Sequence, residues 1–486
     1  MHRYFLILLL GTAPWAVRAA DTPDVDGAAD RGPLKLSLKR AVELALSPEG
    51  NTYIQLSDES LKQAKSRSAE ARSALLPDIE AQTSYVTAMR SLAALGLDLA
   101  ASQTLLGAAK NPPPCTSSPL ICGILATSEA PLLEDIAGKI PRVIGPFNSV
   151  DVRSRLTQSV FDMSNIRRFQ ASRAVVRAAK QDRSNTGDQV SAGVAKAYLN
   201  ALRSDADLEA AEANVKLSEA VLKQAESQKN AGTSTGLDVT RAKVQMANDK
   251  QHLLASRNAQ STAHLQLLRA IGLNLDTTVE LTDKLSYQPM EPMTLEQARA
   301  EALKNRADLK AQAERESAAR LNASSVKYER LPTFGLFADY GTTGVDGITT
   351  SLLPTRDYGF ALKIPIFDGG RRDARRAETA SQFRQERTKS NDLHEQVELE
   401  IRTSLDSLHS AEEQYQVAQE GFHLADNELN QARRRFSAGV ASSLEVTDSQ
   451  TRMERARDNQ ISALFAYNAA RIDLGKAMGN LQSMIQ

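Results

Sequence analysis

Glu445 and Asp448, in GVASSLEVTDSQ, are three residues apart, so one helix presents both carboxylates on a similar face. Asp238 and Arg241, in STGLDVTRAK, repeat that spacing with one charge reversed. An acid pair of this kind is either ordinary helix-surface charge or a place where charge is concentrated for a purpose. Cys115 and Cys122, in NPPPCTSSPLICG, can close a local disulfide in an exported protein. Their spacing, with no histidine nearby, gives no familiar metal-ligand pattern. The chain has no GxxxxGK(S/T) phosphate loop, no HExxH and no supported nucleophile constellation. Covalent catalysis is therefore not expected.

The elements that hold these residues are long. The 486 residues are 42% hydrophobic but only 5% aromatic, with a mean hydropathy of -0.36. Such a balance suits long helices better than one thick core. Lys+Arg and Asp+Glu each number 59, which gives no case for nucleic acid. No proline interrupts 165–229, 371–437 or 444–486. At 1.5 Å per residue, about 60 helical residues reach roughly 90 Å. Ala411, Tyr415, Ala418, Phe422 and Ala425 form an apolar stripe, as do Ala211, Val215 and Val221 in a matching segment. These stripes predict helices packed side by side, as in a coiled-coil assembly.

The N-terminus, MHRYFLILLLGTAPWAVRAADT, reads as a signal peptide over 1–19, with cleavage after Ala19. No cysteine follows to carry a lipoprotein anchor, and no later apolar run predicts a transmembrane helix. A soluble exported protein and a β-barrel remain.

The chain also matches itself. LSLKRAVELAL at 36–46 resembles MTLEQARAEAL at 293–303, and LLPDIEAQTSY at 75–85 resembles RLPTFGLFADY at 330–340. SVFDMSNIRRFQ then matches PIFDGGRRDARR, and NAGTSTGLDVTRAK matches SAGVASSLEVTDSQ. The offset drops from about 255 to about 206 residues, which places an insertion over 91–150 in the first copy. The two copies span 20–272 and 273–486. Each orders helix, strand, connector, strand, long helix, turn and long helix.

Alternation marks the strands, near 76–89, 149–161, 331–343 and 356–367. Tyr358, Phe360, Leu362, Ile364 and Ile366 share one face of the last; Phe334, Leu336, Ala338 and Tyr340 share one of the third. Ile79, Ala81, Thr83 and Tyr85, and Val152, Ser154, Leu156, Gln158 and Val160, mark the others. One apolar and one polar face suit a membrane barrel with a watery lumen, or a soluble sandwich. Four strands cannot close a membrane barrel alone, since unpaired edges in lipid are costly. The strands leave through Phe161-Asp162 and Phe367-Asp368, with Asp368 a candidate helix cap and Gly369-Gly370 permitting a change of direction. The helix pairs turn at Gly232 and Gly439, and Thr235 and Ser442 are candidate caps for the returning helices.

Taken together, these landmarks resemble the TolC family of outer-membrane channels over about residues 34 to 482. The Phe-Asp strand exits and the two Ala-Gly turns are the most specific parts. The resemblance implies a homotrimer whose protomers each give four strands to one twelve-stranded outer-membrane barrel, continuous with a long periplasmic α-helical tunnel. It implies a passive exit duct of a tripartite efflux or type I secretion system, without cofactor or metal. The partners it implies are a periplasmic adaptor (membrane fusion) protein, an inner-membrane pump of RND or ABC type, and outer-membrane lipid. Gly232 and Gly439 would lie at the distal periplasmic entrance, where the adaptor docks. Glu445 and Asp448 match the family's paired acidic constriction, with Glu where one position is usually Asp; three copies would form acidic rings. Asp238 and Arg241 occupy the corresponding place in the first repeat, as a local pair or with Arg241 on a neighbouring helix. The 91–150 insertion would decorate the extracellular mouth. The competing expectation is a periplasmic coiled-coil adaptor or spacer, which would show one hairpin and a lipoyl-like β domain.

Overall fold

The computed structural model describes residues 34–91, 143–345 and 352–482. The expected signal peptide, most of the insertion, and Cys115 and Cys122 lie outside the described residues. The first half of the chain runs β1 (Leu34–Leu36), α1 (Leu38–Leu46), α2 (Thr52–Ser73), β2 (Asp78–Ser91), β3 (Val143–Phe161), α3 (Met163–Asn230) and α4 (Gly236–Ile271). The second runs β4 (Val279–Leu281), α5 (Leu295–Asn305), α6 (Ala307–Tyr328), β5 (Thr333–Val345), β6 (Leu353–Lys363), α7 (Arg371–Ser437) and α8 (Ser443–Met478). The element order repeats, and so do the lengths: 68 and 67 residues in α3 and α7, and 36 residues in each of α4 and α8. A 68-residue helix is about 100 Å long. Among the described residues, no helix is long and apolar enough to cross a membrane.

The long helices are held at three levels. At mid-length, Leu36, Val42, Ile54, Tyr198, Leu267, Ile271 and Ile472 form the largest cluster. Here β1 pairs in parallel with β4 and ties the starts of the two halves together. Tyr198 donates its hydroxyl to Leu36 O and Asp283 Oδ2, each at 2.9 Å, so its fully buried ring carries a satisfied polar end. A second cluster joins α5, α6, α7 and α8 around Ala302, Leu309, Val397, Ile401, Leu474 and Met478. The third lies near the turns.

The four strands β2-β3-β5-β6 form one antiparallel sheet. The register aligns Ile79, Leu156, Ala338 and Tyr358 across it, and Leu336 with Phe360. The four apolar rows expected from alternation therefore fall on one continuous face. Among the described residues nothing covers that face: Tyr358 is 84% exposed and Phe360 71%. The opposite face carries Glu80, Arg153, Arg155, Asp339 and Asp357. Phe337 is an apolar exception there, and its ring lies over Gly359.

The strand limits differ from the sequence expectation. β6 ends at Lys363 and not at Phe367, so Ile364 and Ile366 lie beyond the ladder. Pro365 has no N–H to donate to a ladder, and pairing with β5 stops at Thr333, one residue after Pro332. β3 is longer than expected and begins at Val143.

The two strand exits solve the same problem differently. Asp162 caps α3 directly, accepting from Asn165 N at 3.1 Å. In the second half, Gly369 and Gly370 are both left-handed, with φ of 68° and 84°. Asp368 reaches across them to accept from Arg372 N at 3.1 Å. Glu329, at the end of α6, then bridges Arg168 of α3 at 3.5 Å and Arg375 of α7 at 3.0 Å. Within the basic run after Phe367-Asp368, Arg375 thus makes an interhelical contact, while Arg372 turns back to Asp368 at 3.5 Å.

Candidate functional site: the helix-hairpin tips

Both hairpins reverse through the same hydrogen-bonded turn. Thr233 N donates to Gln228 O at 2.9 Å and Gly232 N to Lys229 O at 3.0 Å. Val440 N and Gly439 N donate to Arg435 O and Phe436 O in the same pattern. This closure requires a left-handed residue, and Gly232 and Gly439 supply it at φ of 77° and 73°. Beneath the turns, Val221, Ala225, Val239, Ala432, Phe436 and Val446 pack the hairpins against each other.

The returning helices start unequally. Thr235 and Asp238 form a complete capping box on α4. Ser442 takes the extended geometry of a cap, yet makes no side-chain cap hydrogen bond, contrary to the sequence expectation. The next serine is engaged instead. Ser443 Oγ donates to Asp238 Oδ1 at 2.5 Å, linking the start of α8 to the start of α4. Gln228 Nε2 adds a second link to Phe436 O at 3.0 Å.

Asp238 also accepts from Ser234 Oγ at 3.1 Å, Thr235 Oγ1 at 2.6 Å and Thr235 N at 3.1 Å. The Ser443 bond first, then Thr235, hold its carboxyl well below the usual range. A depressed pKa contributes stability above the ordinary value near 4, and that contribution is lost as pH falls through the folded value. Arg241 lies beside it at 3.8 Å. Replacing Asp238 with alanine strips four acceptor contacts at once. The expected cost is about 2 kcal/mol at pH 7, read as faster amide exchange at 236–239 and, across the link, at 443–446.

Glu445 and Asp448 stand differently from each other. Glu445 pairs with Arg435 of α7 at 3.1 Å. Asp448 is exposed one turn on, near enough to Arg452 to act on its charge. Arg452 itself is held by Glu428 at 2.6 Å. The four charged residues expected from sequence therefore split into a hairpin link centred on Asp238 and a carboxylate pair in which Glu445 is already partnered.

A polar seam that sequence reasoning missed lies just above. Gln450, 1% exposed, donates to Asp249 Oδ2 at 3.1 Å and Glu454 Oε1 at 3.2 Å. Gln245 Nε2 donates to Asp249 Oδ1 at 2.8 Å. Burial pushes the Asp249 carboxyl up, against the hydrogen bonds it accepts. Burial, then the Asp249 charge, push Glu454 up to about 6. A raised acid stabilises most below its ordinary value and loses that contribution as pH rises through about 6, so this seam is tightest in acid. Its sequence signal is a glutamine in the apolar stripe Val446–Gln450–Met453. Among the described residues, no group of acids, histidines or cysteines is arranged to hold a metal ion.

The chain is similar to known proteins. The chain is 24% identical over 312 residues to the pyoverdine export outer membrane protein OpmQ of Pseudomonas putida, covering 62% of this chain and 64% of that protein. The chain thus spans just under two thirds of that relative. It is 22% identical to the outer membrane protein TolC of Escherichia coli, over 69% of this chain and 70% of that one. The solved CmeC outer membrane channel of Campylobacter jejuni superposes with a TM-score of 0.70 at 15% identity, over 91% of this chain and 86% of that one. The model of the outer membrane efflux protein family matches residues 145–273 and 298–480, which hold all four long helices and both tips, and the chain belongs to that family.

Proposed function

We propose that the chain is the outer-membrane duct of a tripartite efflux or secretion assembly, a passive conduit whose long helices stand in the periplasm. One observation carries this reading: among the described residues, a four-stranded sheet with an uncovered apolar face, a charged opposite face and two unpaired edges grows directly into helices about 100 Å long. An apolar face suits lipid, and a charged face suits water. Free edges in lipid must be paired. Three copies, joining β6 of one protomer to β2 of the next, give a closed twelve-stranded barrel. Heat-labile trimers in outer-membrane fractions test this; a soluble monomer after correct export would overturn it.

The tips are then the periplasmic entrance. Leu237, Val440 and Leu444 stand exposed there, an apolar surface for a periplasmic adaptor coupled to an inner-membrane pump of RND or ABC type. In-cell crosslinking from positions beside Gly232 and Gly439 identifies the adaptor.

Glu445 and Asp448 form the acidic constriction in this reading. Since Arg435 already offsets Glu445, D448N lowers cation preference more than E445Q does. Single-channel recording of both variants measures this, and unchanged selectivity in both would remove these residues from the constriction.

A further inference from the structure

A second set of charges lies far from the tips, on the polar face of the sheet. Glu80 of β2 stands opposite Arg155 of β3, Arg155 opposite Asp339 of β5, and Asp339 opposite Asp357 of β6. One row across the strands thus places an ionisable residue on every strand. Arg155 Nε donates to both Asp339 oxygens, at 3.1 and 3.3 Å. In the adjoining row, Arg153 Nε donates to Asp151 Oδ1 of its own strand at 2.8 Å. Arg153 also lies close enough to Asp339 and Asp357 to feel their charge. Among the described residues, the side chains of Glu80 and Asp357 make no ion pair or hydrogen bond. These two rows, with Asp151 from the next, set four carboxylates against two guanidinium groups, an excess of negative charge.

We infer that the row Glu80–Arg155–Asp339–Asp357 is a charge-selective belt in the wall of the duct, favouring cations and positively charged cargo groups independently of the tip acids. This rests on the reading of the sheet as a barrel wall, because the apolar face then meets lipid and the belt meets the lumen. The residues sit on paired strands, which fixes their positions better than a loop would. With strands ~4.8 Å apart and tilted ~40°, twelve of them enclose a radius of about 12 Å. The Debye length is ~10 Å at 0.1 M salt and ~3 Å at 1 M. The belt therefore acts across much of the lumen in dilute salt and is screened out in concentrated salt. Arg155 moderates the excess, so removing it and removing an acid have opposite effects.

The test is the reversal potential of reconstituted channels under a KCl gradient, in an E445Q/D448N background that removes the tip acids. E80Q and D357N are expected to lower the cation-to-anion permeability ratio by roughly 1.5- to 3-fold at 0.1 M. R155Q is expected to raise it, and all three shifts shrink at 1 M. No shift in any variant, or shifts of one sign in all three, overturns the belt. Failure of the parent chain to form channels is a different result, which overturns the barrel reading and the belt with it.

Discussion

Replacing Arg306 with alanine is expected to destabilise the protein by about 3–5 kcal/mol, the usual cost of breaking a buried ion pair from one side. Arg306 is 9% exposed where α5 passes into α6. Its Nη2 and Nε hold Asp308 at 2.7 and 3.1 Å, and its Nη1 holds Glu400 of α7 at 2.7 Å and Ala477 O of α8 at 3.1 Å. One guanidinium therefore joins the second half's short helices to both arms of its hairpin. Burial alone would raise the Asp308 carboxyl, but the hydrogen bonds and charge of Arg306 bring it below its ordinary value. Asp188 of α3 lies on the same side. Burial, then the Asp308 charge, push it up to about 6. Without Arg306 these carboxylates face one another in a poor solvent. The defect should be smaller at pH 4 than at pH 7, because protonation removes the stranded charge. Chemical denaturation at both values measures it. R306M/D308N/E400Q should recover most of the loss, and a loss below 1 kcal/mol in R306A would show that the site is well solvated.

Replacing Gly341 with valine is expected to lower correctly inserted protein by tenfold or more, on the order of the several kcal/mol that exposed backbone groups cost in lipid. Gly341 faces Arg153 across the β3–β5 ladder. A Cβ there would come within 2.5 Å of Val152 O and 2.8 Å of Arg153 Cα. Those are backbone atoms of the neighbouring strand, so no side chain can swing aside; the strands must separate. Gly359 is the contrasting control. A Cβ there meets only the Phe337 ring, at 3.1 Å, and a ring edge can shift. G359A should insert near normally while G341V does not, as read by protease resistance in outer-membrane fractions. Equal insertion of both would mean the ladder is looser than this.

The faces of the strands were legible in the sequence because alternation is a local property. Ile79, Leu156, Ala338 and Tyr358 could each be assigned a face without knowing their partners, and the register then placed them side by side. The Gly turns were legible too, since a left-handed closure demands glycine whatever surrounds it. Strand ends were less so, because the last residue of β6 depends on where β5 stops pairing as well as on Pro365. The β1–β4 pair was missed: three residues at each end of a separation of about 245 leave no periodicity to detect. At the tips, the spacing of Asp238 and Arg241 suggested a local pair, which exists, but the dominant partner of Asp238 is Ser443, 205 residues away. Long-range hydrogen bonds of this kind have no sequence period. The repeat singled out Ser442 as the cap, whereas packing leaves it without a cap bond and engages Ser443 with the other hairpin.

That choice has a mechanical consequence. Helix α8 has no side-chain cap, and the Ser443 hydroxyl in its first turn is spent on Asp238 of the other hairpin. A helix with its own cap can swing away intact, as α4 can with Thr235. Helix α8 also swings away with nothing lost from its own amides, because Asp238 holds only the Ser443 hydroxyl and none of them. Parting the tips therefore breaks contacts between the hairpins and leaves the capping of both helices unchanged. Those contacts are the Ser443–Asp238 and Gln228–Phe436 hydrogen bonds and the apolar cluster beneath the turns, a latch between two leaves.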